Sequence, residues 1–423
     1  MSESATAVTV LTVAYNSGAF IGDFLASVYA CDLAGIELQV VVVDNGSRDN
    51  TLEVVSAEFP DTELVRNPVN NYTRALNEGI SLSRGDYIVI ANNDGVADTA
   101  WLQGLLSVML ASPRVGAVQS KILFAETGLL NSVGVEEVEH FYYRDIAFEQ
   151  PESAQYRRAA SRQFLSGGAV MFRREALEAA GKWDEDFILY LEDVDYSIRC
   201  RAAGWELMYA PDSVFRHRYH GVTTDALCDY FCSRNRLLLV AKHFPVELPA
   251  CITSSHFFSE GHYDLLYRSL LQALVKLCQE QGEALAARVL EEVAGVLHQQ
   301  FGQACYQEFL FQLQLLLGLR DLCFAVVGDV AGSGEGERLL SGLRLAYPDA
   351  AVSTVAGDTS ETLAGRYDVC MDFSGQYERW PGALAFVPRE HLVGEYGRAA
   401  VDAAVLQVRG VDALPGGLRA ESP

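Results

Sequence analysis

The sequence predicts an α/β chain: a parallel, doubly wound sheet within residues 1–250, a helical segment over 251–320 and a small α/β module over 321–413. Three observations predict this. Short apolar runs alternate with helix-period segments through the first 125 residues, the rhythm of a sheet covered on both faces. The run Leu38–Val43 is apolar but for Gln39, as a strand buried on both faces should be. The stretch Tyr263–Leu319 is dominated by Leu, Ala, Gln and Glu with few Gly or Pro, which reads as helix.

In chain order, Val8–Val13 is a β-rich run and Phe20–Ala30 has helical spacing. After the Leu38–Val43 strand come a helix at Asn50–Glu58, a strand at Glu63–Val65, a helix at Tyr72–Leu82 and a strand at Tyr87–Ala91. Trp101–Leu110 reads as helix and Gly116–Phe124 as strand. Residues Ala125–Arg162 are polar, aromatic and poorly periodic, the expected signature of a flexible, acceptor-facing insertion. The pattern sharpens again from Phe164 to Tyr209. Ala226–His243 is an apolar-rich helix, and Pro245–Ser255 reads as a boundary. A second strand–Gly-rich turn–helix unit follows: Leu322–Val327, a turn with Gly332 and Gly334, then Glu335–Leu345. Strands are expected at Ala351–Val355 and Tyr367–Phe373, and a disordered tail at Leu414–Pro423. The Gly-rich turn is not a dinucleotide fingerprint.

Charge narrows the function. Fifty-six acidic against 32 basic residues give a net charge of −24, so phosphate backbones and anionic lipid repel the chain. Nucleic acid is excluded as a partner, and membrane contact is peripheral at most. Nine cysteines with no Cys-x-x-Cys spacing signal neither a disulfide framework nor a zinc site, and fit a reducing compartment. No apolar stretch reaches ~18 uninterrupted residues, and the acidic start Met1–Ser4 lacks the charged region of a signal peptide. The expectation is a cytoplasmic protein, working up to the inner face of the membrane.

In open α/β sheets, ligands sit beyond the carboxyl ends of the strands, so the polar loops there come first. Asp44-Asn45-Gly46-Ser47 is either an Asx turn with a helix cap or a carboxylate accepting from a nucleobase N–H. Asn92-Asn93-Asp94-Gly95 is either a turn or one carboxylate holding a divalent cation, with diphosphate oxygens as its other ligands. Six acids between Asp184 and Asp195 are interleaved with Phe187, Ile188, Leu189 and Leu191, unlike a solvated charge run. A helix opening near Glu192 puts Asp193 in its first turn, where an ionised carboxylate is favoured and can act as general base. Asp195 and Arg199 then pair on one face. His217 and His220, flanked by Arg216 and Arg218, are both candidates for a metal or diphosphate contact.

The ordered set of these segments resembles a family-2 glycosyltransferase of GT-A fold, bacterial rhamnosyltransferase-like in style. It comprises Ala14-Tyr15-Asn16, Val43-Asp44-Asn45-Gly46-Ser47, Ala75-Leu76-Asn77-Glu78-Gly79, Gly85-Asp86-Tyr87 leading to Asn92-Asn93-Asp94, Ser166-Gly167-Gly168, Trp183-Asp184-Glu185, Glu192-Asp193-Val194-Asp195, Ala203-Gly204-Trp205 and Arg234-Asn235. The resemblance covers residues 8 to about 240. It implies inverting transfer of a sugar from a nucleotide-diphospho-sugar, dTDP- or UDP-linked, to a hydroxyl of a glycan or lipid-linked glycan in polysaccharide biosynthesis. By the same resemblance Asp193 is the base, and Asp94 with His217 holds Mg²⁺ or Mn²⁺. Ala14, Tyr15, Asn16, Asp44, Asn45, Asn71, Arg74, Asn77, Asn92 and Asn93 face the donor, with Asp44 on the base. Gly167, Gly168, Glu192 and Arg234 line the acceptor or diphosphate region.

Two positions depart from the family pattern. Asn70-Asn71 stands where Asn-x-Gly is usual, so Asn71 is expected to take the left-handed conformation that Gly would supply. Asn92 stands where a first Asp often occurs. The competing readings are a catalytically inactive GT-A scaffold or partner subunit, and a sugar nucleotidyltransferase. The latter needs a Gly-rich phosphate loop after the first strand, and Tyr15–Ala19 is a poor one. Residues 321–413 faintly resemble half of a GT-B glycosyltransferase and read as an accessory module for assembly or acceptor docking. The C-terminal half is the candidate surface for a homo-oligomer.

Overall fold

The computed structural model describes residues 5–67, 70–218, 225–256 and 263–281, residues 285 and 289, and four short strands beyond them. The chain divides into two compact units, 1–236 and 237–423.

In the first unit, β1 (Thr6–Ala14) and β2 (Ile36–Asp44) pair in parallel from Thr6↔Ile36 to Ala14↔Asp44. Between them α1 (Ile21–Tyr29) buries Ile21, Phe24, Leu25 and Val28, the i, i+3, i+4, i+7 stripe of a helix lying on a sheet. Then come α2 (Thr51–Glu58), β3 (Glu63–Arg66), α3 (Tyr72–Leu82), β4 (Tyr87–Ala91), β5 (Gly95–Ala97), α4 (Trp101–Met109) and β6 (Val115–Phe124). The unit continues through β7 (Leu130–Ser132), β8 (Val135–Glu137), β9 (Tyr143–Asp145), β10 (Ala160–Ser161), β11 (Ala169–Arg173), α5 (Arg174–Ala180), α6 (Glu192–Ala202) and β12 (Glu206–His217). Helix α7 (Asp225–His243) follows.

The main sheet runs β10-β12-β6-β11-β4-β1-β2-β3, with β5 on β12 and β7 on β6. Strand β1 lies between β2 and β4, so the chain winds one way through β2 and β3 and then crosses to β4. That reversal opens a crevice beyond Ala14 and Ala91. The sheet is mixed rather than wholly parallel: β11 is antiparallel to both β4 and β6. The GT-A expectation holds, with helices on both faces. Val8, Val10 and Ala14 of β1 join α1 and α4 in one core, and Leu11 and Val13 join α3 and α6 in the other. This is the period-2 alternation of a strand covered on both sides.

The expected flexible insertion is instead built into the structure. Over 125–162, β7 extends β6, β8 pairs with β9, and β10 pairs with β12. Leu130, Val133, Ala147 and Tyr209 form a small core beneath it. Strands of two or three residues are too short to show alternation, so periodicity could not reveal them.

In the second unit, α8 (Leu248–Thr253) follows a single 3₁₀ turn at Pro245–Glu247, and α9 spans Tyr263–Gln281. Strands β13 (Cys323–Val327), β14 (Ala351–Val355), β15 (Val369–Asp372) and β16 (Leu384–Phe386) form a parallel sheet ordered β14-β13-β15-β16. The strand expectations at 322–327, 351–355 and 367–373 are met, and β16 is additional. The Gly-rich turn after Val327, the helix at 335–345, the expected helix beyond 289 and the tail at 414–423 lie outside the described residues. No helix of the described residues is long and apolar enough to cross a membrane.

Candidate active site

The crevice is walled on one side by the loops after β1 and β2. Asn16 is left-handed, with φ 48°; its N–H donates to Ser47 Oγ (2.9 Å) and its Oδ1 accepts from Arg48 N (2.9 Å). Ala14, fully buried, contributes only backbone, its carbonyl accepting from Asn45 N, and Tyr15 N donates to Ser17 Oγ. Asp44 is 3% exposed and its Oδ1 accepts from Ser47 N at 3.3 Å. The Asx turn foreseen at this junction is therefore present.

Four of the amides expected to face the donor are engaged with the protein. Asn45 Oδ1 accepts from Asn67 Nδ2 and Asn71 N, while its Nδ2 donates to Asn70. Asn71 caps α3 by accepting from Arg74 N (3.1 Å), and its Nδ2 donates to Glu185 O (3.0 Å). Asn77 clasps Trp183 from both sides, Nδ2 to the carbonyl and N–H to Oδ1. Asn93 Nδ2 donates to Val13 O. The left-handed expectation for Asn71 is corrected: its backbone is extended, φ −140° and ψ 112°. A residue capping a helix N-terminus with its own side chain takes that conformation.

On the other side of the crevice, Asp94 immediately precedes β5. Because β5 pairs with β12 at Gly95↔His217, His217 is delivered beside it. His217 Nε2 lies 3.0 Å from Asp94 Oδ1 and 3.4 Å from Asn92 Nδ2; Nδ1 lies 2.9 Å from Asn131 Oδ1. A side chain at Gly95 would strike the Phe215 ring at 2.2 Å, so only glycine lets β5 close on β12 here. A hard divalent cation fits this donor set. One carboxylate and one imidazole 3.0 Å apart match the spacing of adjacent ligands on an octahedron with bonds of about 2.1 Å. Among the described residues no three His, Cys, Asp or Glu converge into a closed cage. That leaves positions for substrate oxygens and water, as Mg²⁺ sites commonly have. His220, the other candidate, lies outside the described residues.

Asp193 sits at the second position of α6, after a strained loop. Ile188, Tyr190 and Leu191 are all left-handed, with φ of 64°, 67° and 59°. That conformation is costly for side chains of this size, above all a β-branched one. The neighbouring helix α7 holds the loop in place. Asn235 Nδ2 lies 2.8, 2.7 and 2.7 Å from the carbonyls of Phe187, Leu189 and Tyr190, and Arg234 Nη1 donates to Asp186 O (2.6 Å). Tyr72 N adds a bond to Ile188 O. Arg234, expected in the acceptor or diphosphate region, is fully buried and turned toward this loop, which it positions. Asp193 Oδ2 then accepts from Gly167 N and Oδ1 from Val194 N, each at 2.8 Å. The expected Asp195–Arg199 pair forms at 2.8 Å, with Asp195 buried.

A short chain of contacts joins the two acids. Gly167 binds Asp193, the next residue Gly168 accepts from Asn92 N through its carbonyl (3.0 Å), and Asn92 touches His217, which touches Asp94. Tyr72 reports the same convergence. Burial first, then the charges of Glu192, Asp193 and Asp94, push its hydroxyl far above the ordinary range. Burial also raises the Asp193 carboxyl, against the opposing N–H bonds of Gly167 and Val194. Glu192, 7% exposed, is pushed up to about 8 by burial and then by Asp193 and Asp195. Burial therefore disfavours charge on both members of this adjacent pair.

Sequence reasoning missed Asp145. Its carboxyl is pushed up to about 6 by burial and by Asp193, against hydrogen bonds from Ser132 and Ser166 and the pull of His217. It comes from β9, inside the stretch without periodicity or motif, so nothing in the sequence marked it. Asn131 was missed for the same reason.

Residues 5–236 match the family described as Glycosyltransferase like family 2. The N-acetylglucosaminyl-diphospho-decaprenol L-rhamnosyltransferase of Mycobacterium tuberculosis is 27% identical over 242 residues, 51% of this chain and 78% of its own length. The poly-beta-1,6-N-acetyl-D-glucosamine synthase of Staphylococcus epidermidis is 25% identical over 213 residues, 48% of each chain. The solved structure of GalNAc-T7 with UDP, GalNAc and Mn²⁺ superposes over 71% of this chain and 58% of its own, with a TM-score of 0.48 and 14% identity. With more than half its length matched, the chain belongs to glycosyltransferase family 2.

Proposed function

We propose that this glycosyltransferase moves a sugar, with inversion, from a UDP- or dTDP-linked donor to a hydroxyl of a lipid-linked glycan, with Asp193 as general base. The observation that supports this reading is the chain of contacts from the Asp193 carboxylate through Gly167, Gly168 and Asn92 to the Asp94–His217 pair. Asp44, buried at the end of β2, would accept from the nucleobase. Asp94 Oδ1 and His217 Nε2 would hold Mg²⁺ or Mn²⁺. When bound, that cation supplies charge compensation for the departing diphosphate.

The acceptor hydroxyl gives its proton to Asp193 as its oxygen bonds to the anomeric carbon. The sugar–diphosphate bond breaks on the opposite face, and its electron pair leaves with the nucleoside diphosphate. Gly167 and Val194 N–H groups fix the direction of the carboxylate. Burial and the neighbouring Asp193 charge both disfavour a second negative charge at Glu192. The mycobacterial relative's name supports a polyprenyl-diphosphate glycan as the acceptor class, met by peripheral membrane contact. The second unit is read as an accessory module.

The test is nucleoside-diphosphate release from UDP- and dTDP-sugars with Mn²⁺ and a polyprenyl-linked acceptor. A thermal-shift panel run first fixes the base, since a ligand bound only by the native state raises its melting temperature. Wild-type turnover and loss of transfer in Asp193→Asn are expected. Equal transfer by the variant removes Asp193 as base, and a protein that binds no nucleotide in the presence of Mn²⁺ restores the inactive-scaffold reading.

A further inference from the structure

His217 is oriented from outside the strands that bring it to Asp94. Strand β7 pairs with β6 at Ile122↔Ser132 and Leu123↔Leu130, so Asn131 is an extra residue with no partner opposite it. Such a bulge re-aims a side chain, and bulges concentrate beside active sites. The flanking residues are fixed: Leu130 exchanges backbone bonds with Glu149 and Gln150, and Ser132 Oγ accepts from Gln119 Nε2 at 3.0 Å. Asn131, 5% exposed, is left with its Oδ1 2.9 Å from His217 Nδ1.

An amide oxygen only accepts, so this contact takes a proton on Nδ1. The Asp94 carboxylate 3.0 Å from Nε2 also only accepts, so it is a cation on Nε2 that leaves the single ring proton on Nδ1, against Asn131. The opposite amide orientation would turn an N–H toward Nδ1. It would force the ring proton onto Nε2 and block coordination there.

We propose that Asn131 is a positioning residue: its Oδ1 holds His217 as the Nδ1–H tautomer and so presents Nε2 to the cation shared with Asp94. This deepens, and rests on, the reading of Asp94 and His217 as cation ligands. Hydrogen-bond acceptors behind a ligating histidine are a general feature of metal sites, and removing one lowers metal affinity by about 10–100-fold. The structural novelty is its origin: the acceptor comes from the 125–162 stretch, which the sequence offered only as a loop.

The test uses the full chain labelled with ¹⁵N-histidine. Long-range ¹H–¹⁵N spectra near pH 8, where an ordinary imidazole is neutral, are recorded with and without diamagnetic Mg²⁺. The proposal expects a protonated Nδ1 and a bare Nε2 on His217 when Mg²⁺ is present, with Nδ1 protonation lost or mixed in Asn131→Ala. Electron paramagnetic resonance with Mn²⁺, alone and with UDP, should show about 10–100-fold weaker binding in Asn131→Ala. Asn131→Asp, which keeps an acceptor, should restore it, with the melting temperature following the same wild-type value in both. A wild-type ring protonated on Nε2 in the presence of Mg²⁺ overturns the proposal, as does Asn131→Ala binding Mn²⁺ like wild type. If His217→Ala also binds Mn²⁺ unchanged, the ligand reading beneath it fails. The change in the wild-type ring spectrum on adding Mg²⁺ tells that failure apart from failure of the Asn131 contact.

Discussion

The two walls of the crevice are built on opposite principles. On the donor side, Asn45, Asn71, Asn77 and Asn93 spend their amides on neighbouring loops, and the backbone is ordinary except at Asn16. On the catalytic side, three left-handed residues lead into α6, and Glu192, Asp193 and Asp145 are carboxyls raised by burial. One wall is a satisfied scaffold that sets shape. The other stores strain and desolvated charge, held by α7 from behind. Disturbing the first should cost stability and donor fit, whereas disturbing the second should cost turnover.

The largest effect is expected at Asp193. Replacing it with Asn keeps the size and the bond from Gly167 or Val194 but removes the proton acceptor, so transfer should fall by about 10²–10⁴-fold. Nucleotide affinity, read by calorimetry, should be nearly unchanged. A comparable loss of affinity would mean that the two walls are not separable in this way. The pH profile sharpens the point. Because burial raises the Asp193 carboxyl, the acidic limb of kcat should lie above the range of an ordinary Asp.

Next is Asn235→Ala. It takes the Asn235 donor from the Leu189 and Tyr190 carbonyls of a strained loop, while Phe187 O keeps Leu189 N, which should cost about 2–4 kcal/mol of stability and release the left-handed turn. Turnover should drop well beyond what the unfolded fraction explains, with KM for the donor moving little. If kcat of the folded fraction is unchanged, the loop does not need α7 to present Asp193.

The sheet and most site segments were legible in the sequence, and the reasons are physical. Leu38–Val43 and Tyr87–Ala91 are long enough to show that both faces are buried, and Asp44 and Asp94 follow directly from their ends. Asp193 was legible because a helix start constrains its neighbours. Arg234 lies in the expected helix, but that its guanidinium reaches the Asp186 carbonyl was not legible, since spacing says nothing about which way a buried side chain points. Asn131 and Asp145 were invisible: each depends on a three-residue strand, and one on a bulge, with pairing set by tertiary contacts alone. The antiparallel β11 was also hidden, because a buried strand reads the same in either direction.

A smaller effect is expected at Glu192, and its sign follows from linkage. Its folded pKa, about 8, lies above the unfolded value of 4.5. Its favourable contribution is therefore complete below about pH 4.5 and is lost as pH rises through 8. Glu192→Gln removes the ionisation, so its melting temperature should equal wild type near pH 5 and exceed it near pH 9, by the equivalent of about 1–3 kcal/mol. A variant no more stable than wild type at the alkaline end would show that the pair shares its charge differently.

The smallest effect on turnover should come from the scaffold wall, at Asn77→Ala. It removes the clasp on Trp183, whose ring stacks on Tyr196 at 4.2 Å in the core beneath α6. Two hydrogen bonds to partly buried Trp183 backbone and one to the Glu185 carboxylate are lost, so about 1–2 kcal/mol of stability should go. Because Trp183 remains packed against Phe172 and Tyr196, the crevice should keep its shape and kcat should stay within about threefold of wild type. Chemical denaturation and steady-state kinetics on the same preparation decide the matter. A collapse of kcat with stability intact would place this amide in the catalytic wall, because the chemistry would then depend on a bond that the scaffold does not need.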